Sequence, residues 1–120
     1  MANIKKNQEI FPETSYSGTN LSYLTAGNNI LGSIQIKHPA EGTFELAVSN
    51  DYDTKYFEEK LWTPLPVRLL GQTTYISLIT FTDEEPTIIK LGCFSFAFLR
   101  ATLTASGGIY RAIYNVPEGN

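Results

Sequence analysis

The chain has 120 residues, 42% of them apolar and 18% charged, with a net charge of −3 and a pI near 5.0. That suffices for one domain around one core. It argues against a phosphate-backbone partner, because the nine Lys and Arg are scattered and only Lys5-Lys6 adjoin. One Cys and one His exclude an internal disulfide and a zinc site, and no apolar run approaches the ~20 residues of a membrane span. Met1–Glu9 is polar and lacks the apolar stretch of a secretory signal, so synthesis in a reducing cytoplasm is expected.

Residues 1–27 are rich in Asn, Ser, Thr, Lys and Gly, and their apolar residues keep no clear period. They are expected to form an extended N-terminal arm, with Ile10-Phe11 and Tyr23-Leu24 as apolar anchors. The anchors could dock back on their own domain or on a neighbouring subunit. Residues 28–120 are expected to form the folded domain. Ile30–Lys37 alternates apolar and polar residues, His38–Gly42 makes a turn, and Thr43–Ser49 alternates again, which reads as a hairpin.

Asn50–Asp53 is a second turn, and Tyr56–Trp62 a short strand or one helical turn. Thr63-Pro64-Leu65-Pro66 excludes a central strand. Val67–Leu70 and Thr73–Thr82 read as strands, Asp83–Pro86 as a turn, and Ile88–Leu91 as the lead into the last segment. Gly92–Val116 reads as two long strands folded back around Ser106-Gly107-Gly108, with Phe94, Phe96 and Phe98 on one face. The sum is seven or eight strands: an all-β chain, a single antiparallel β-sandwich of jelly-roll or immunoglobulin type.

Chemistry-bearing groups are few. His38 sits at a strand end without the serine motif a triad needs, and no carboxylate pair stands out for glycoside cleavage, so no catalytic residue is assigned and no cofactor is expected. Cys93, between Gly92 and Phe94, reads as a small buried hydrophobe. Asn50, Asp51 and Asp53 offer alternating oxygen ligands and are the calcium candidates, the other reading being a turn held by Asx hydrogen bonds. Tyr52, Tyr56 and Trp62 cluster around one connection, as a sugar platform or as a cap over one end of the core. The last two strands carry only Arg100 and Arg111 as charged guards, which suits faces covered by copies of the chain or by a partner.

Gly42-Thr43-Phe44-Glu45-Leu46-Ala47-Val48-Ser49-Asn50-Asp51, then Trp62, then Phe98-Leu99-Arg100-Ala101-Thr102-Leu103-Thr104-Ala105-Ser106-Gly107-Gly108 resembles a pattern common in small virion proteins of tailed bacteriophages. The likeness spans residues 30–116; it departs in the charged segment Tyr56–Lys60 before the Trp and in Pro64 and Pro66 after it. It implies a non-enzymatic structural protein located in the virion, most simply one that decorates the capsid, with a tail or head–tail component as the alternative. The implied partners are further copies of the chain, as a homo-oligomer, and the major capsid protein, with no nucleic acid and no membrane. Ile10, Phe11, Tyr23, Leu24, Arg100 and Arg111 would then be interface residues. Carbohydrate-binding sandwiches share similar motifs, so a sugar-binding module on Tyr52, Tyr56 and Trp62 is the alternative of another class.

Overall fold

The computed structural model describes residues 5–25, 30–39, 41–82, 86–94 and 97–117, with side chains described outside 5–7, 30–31, 92–94 and 116–117. The described residues form ten strands: β1 (Lys5–Ser15), β2 (Gly18–Thr25), β3 (Ile30–Lys37), β4 (Gly42–Ser49), β5 (Thr63–Pro64), β6 (Arg68–Leu69), β7 (Ile79–Phe81), β8 (Thr87–Phe94), β9 (Phe98–Ala105) and β10 (Ile109–Pro117). One sheet has the order β1-β10-β3-β8-β6, the other β2-β9-β4-β5, with β7 also paired to β4. Every strand pairing is antiparallel. The all-β sandwich expected from the sequence is the observed architecture.

The core follows from alternation. In β9, Leu99, Ala101, Leu103 and Ala105 face inward; in β10, Tyr110, Ala112 and Tyr114 do; in β3, Ile34 and Ile36. Phe44 and Leu46 from β4, Ile79 and Phe81 from β7, and Ile89 from β8 complete the interior between the sheets. Gly42 opens β4 because a Cβ there would stand 2.7 Å from the Thr104 carbonyl oxygen on the adjacent strand. Any side chain would push the two backbones apart.

The pairing differs from expectation in three places. β3 and β4 do not form a hairpin: β3 lies between β10 and β8, and β4 pairs with β9 in the other sheet. β9 and β10 do not pair either; Ser106-Gly107-Gly108 carries the chain from one sheet to the other. Gly107 and Gly108 hold φ of +116° and +119° there, and the Gly108 Cα lies so close to the Pro39 ring that a Cβ would meet it at 2.6 Å. The Tyr110 hydroxyl and the Ser106 hydroxyl both donate to the Glu41 carbonyl, at 2.7 and 2.8 Å, which ties this crossover to the one between β3 and β4. Third, of Thr73–Thr82 only Ile79–Phe81 is strand, with Ile76 making a single bridge to Val67.

The expected arm is also corrected. β1 pairs along β10, and β2 pairs with β9 over all eight of its residues. Ile10 and Phe11 are consecutive yet both 3% exposed. Register shifts on either side of Phe11 allow this, because a bulge breaks the in–out alternation and turns two neighbours to the same face. Phe11 packs edge-on against Tyr16 and Phe44, at centroid distances of 5.6 and 6.3 Å. The segment is therefore one flank of the sandwich and part of its core. Asp83–Glu85, Phe96 and the side chains of Cys93 and Phe94 lie outside the described residues.

Candidate functional site

The connection from β4 to β5, residues 50–62, folds over the outer face of the β2-β9-β4 sheet. Its first turn is built by Asp51. One carboxylate oxygen accepts the backbone N–H of Asp53 and Thr54 at 3.1 and 3.0 Å; the other accepts the Thr54 hydroxyl at 2.5 Å and the Leu61 N–H at 3.3 Å. The Thr54 hydroxyl, followed by these amides, holds the Asp51 carboxyl below its ordinary value. The Asn50 side-chain oxygen instead accepts the Ala97 N–H at 3.0 Å, which ties the loop to the start of β9.

A buried cation closes the loop. Lys60 is 8% exposed, and its ammonium donates to the carbonyls of Asp51 and Thr54 at 2.6 and 2.7 Å. It also lies 4.2 Å from the centre of the Phe98 ring and 5.7 Å from that of Phe57. This corrects the calcium reading of Asn50, Asp51 and Asp53. The side-chain oxygens of Asn50 and Asp51 are spent on separate partners, Asp53 contributes only its backbone N–H to Asp51, the loop carbonyls already hold an ammonium, and among the described residues no group of three or more His, Cys, Asp or Glu could hold a metal. The Asx turn was the correct alternative, and Lys60 the residue sequence reasoning missed. Its signal was an isolated lysine amid aromatics, which looks like any surface charge.

Aromatic rings fill the space beneath the loop. A single 3-10 turn, Phe57–Glu59, places the Phe57 ring 4.9 Å from Tyr23 and edge-on to Phe98 at 5.7 Å. Trp62 packs on Tyr23 at 5.8 Å and under the Arg100 guanidinium at 5.1 Å, and its indole N–H donates to the Phe57 carbonyl at 2.7 Å. The register explains the meeting: Tyr23 of β2 stands opposite Arg100 of β9, which stands opposite Ala47 of β4. Arg100 Nε is buried there without a hydrogen-bond partner.

Tyr52, Tyr56 and Trp62 therefore do not form a shared sugar platform. Trp62 is occupied from within, Tyr52 leans edge-on against Phe98 at 5.2 Å, and Lys55 lies over the Tyr56 ring. What the loop presents outward is Tyr52, Tyr56 and Leu61, which are 70%, 53% and 77% exposed.

The other interface candidates separate. Ile10 and Phe11 are in the core, and Leu24 packs against it. Tyr23 lies beneath the loop. Arg111 is on the opposite face of the sandwich, where Glu9 grips it with both carboxylate oxygens, and Lys37 pairs with Glu13 beside it. His38 is a core residue, its ring stacked 4.1 Å from Phe81 and its Nε2 2.8 Å from the Thr87 hydroxyl.

The chain is similar in structure to the SPBc2 prophage-derived protein YomS, with a TM-score of 0.56 at 10% identity, over 97% of this chain and 96% of that one. It thus shares the fold of a prophage-derived protein. PirA aligns over the same shares at 10% identity with a TM-score of 0.49, too low to carry an argument. No protein-family model and no curated protein matches the chain. Among the described residues no helix is long and apolar enough to cross a membrane.

Proposed function

We propose that this chain is a non-enzymatic structural protein of a tailed-phage virion, acting through protein–protein contacts, with decoration of the capsid as its role. The observation that carries the reading is the 50–62 loop. Its backbone is fixed by Asp51 and Lys60, its underside is filled by aromatics, and it holds Tyr52, Tyr56 and Leu61 outward. Large side chains held on a rigid base lose little freedom when a partner covers them, which favours tight contacts. The shared fold with a prophage-derived protein and the sequence resemblance to small virion proteins support the same reading.

The test is quantitative mass spectrometry of purified particles from the phage or induced prophage that encodes the chain. Copy number in fixed proportion to the major capsid protein is the expected result. A few copies per particle would move the role to the tail or head–tail junction. Absence from particles would overturn the proposal. In a second experiment Tyr56→Ala and Leu61→Ala should release the chain from particles while leaving its urea midpoint unchanged.

A further inference from the structure

A two-sheet sandwich has four lateral edges, and in this protein three are guarded. β1 is broken by two register shifts, with Pro12 inside the second and Glu9 and Glu13 along its length. β6 has two residues. On the far side of β4, β5 has two residues, one of them Pro64, and β7 has three. Short length, bulges, proline and charge are the devices by which soluble proteins stop edges from pairing. β2 has none of them. It runs eight residues, Gly18-Thr19-Asn20-Leu21-Ser22-Tyr23-Leu24-Thr25, in unbroken register with β9. It carries no charge and no proline, and among the described residues no strand pairs with its other side.

We infer that β2 is an interface, and that its partner is β2 of a second copy, paired antiparallel about a twofold axis. An uncharged strand is compatible with itself, since a twofold sets every residue of β2 opposite another residue of β2, with only the central ones near their own copies, and no like charges meet. The neighbouring edge β1, with acidic residues at Glu9 and Glu13, lacks that property. At about 3.4 Å per residue the shared ladder would run ~27 Å and would merge the two β2-β9-β4 sheets into one. Leu21, 51% exposed on the outer face, would lie close to its copy across the axis. The pairing deepens the reading of the chain as an assembly protein and rests on it for its purpose. Its test needs no virion, so either can fail alone.

The experiment is light scattering on size-exclusion eluate of the full chain over a hundredfold concentration range, with amide hydrogen exchange at both ends of the range. The expected result is a dimer at high concentration, with exchange slowed at residues 18–25. L21K should weaken the dimer about tenfold or more, because it sets two ammonium groups across the axis. L78K, at an equally exposed leucine away from β2, should leave it intact. A monomer throughout, or a dimer that survives L21K with residues 18–25 still exchanging freely, would overturn the inference. T19K, on the same exposed face of β2, serves in its place if L21K fails to fold by circular dichroism.

Discussion

Replacing Lys60 with Met keeps most of the aliphatic stem in place and removes only the ammonium. The carbonyls of Asp51 and Thr54 then lose a charged donor held at 2.6 and 2.7 Å, and the Phe98 ring loses a cation at 4.2 Å. A hydrogen bond to a charged group contributes roughly 1.5–3 kcal/mol, and a partly desolvated cation over an aromatic ring roughly 1 kcal/mol. Against these stands the cost of burying an ammonium, which Met does not bear. The net expectation is a loss of about 2–3 kcal/mol. For a chain of this size that corresponds to a fall of roughly 6–15 °C in melting temperature. Urea unfolding gives the free energy, and emission from Trp62, the only tryptophan, reports whether the loop has lifted from the sheet. A loss under about 0.5 kcal/mol with unchanged emission would refute the reasoning, since it falls within the range of ordinary surface substitutions.

Phe11→Ala should cost about 3–5 kcal/mol by urea unfolding, the range for an aromatic removed from a packed core; likewise residues 28–120 alone should not fold, as judged by circular dichroism, whereas a folded fragment would restore the arm reading. The Asp51 carboxyl is held below its ordinary 3.8, so its contribution is complete above that pH and is lost as pH falls through the lower folded value. Trp62 emission should accordingly change only below pH 3.8, and Asp51→Asn should remove that acid transition. Burial pushes the Tyr114 phenol from its ordinary 10.0 up to about 12. Its share of stability is present below pH 10.0 and lost as pH rises through the folded value near 12, so urea midpoints should fall across that window, with less slope in Tyr114→Phe.

The reason β1 and β2 read as an arm is physical. Period-two alternation marks a strand only when one face is buried and the ladder is regular. In β1 the bulge buries Ile10 and Phe11 together. In β2, Leu24 packs toward the core while the adjacent Tyr23 lies beneath Phe57 and Trp62, so both faces carry apolar residues. Sparse charge in the last strands was likewise legible but pointed the wrong way. β9 and β10 need no guards because each has a strand on both sides, and the unguarded edge is β2.

The amino-acid sequence by itself determined that the chain is all-β, where β3, β4 and β10 begin and end within a residue or two, and which residues of β3 and β4 face the core. Alternation and turn chemistry are local, and they survive whatever the strands pair with. It also placed the loop that carries Tyr52, Tyr56 and Trp62. Only the tertiary structure decided which strands pair. A hairpin and a crossover between two sheets bury the same alternate residues and use the same glycine and proline turns, so Ser106-Gly107-Gly108 is compatible with either. The same holds for Lys60: its neighbours Asp51, Thr54, Phe57 and Phe98 assemble around it only once the 50–62 loop has closed over β9.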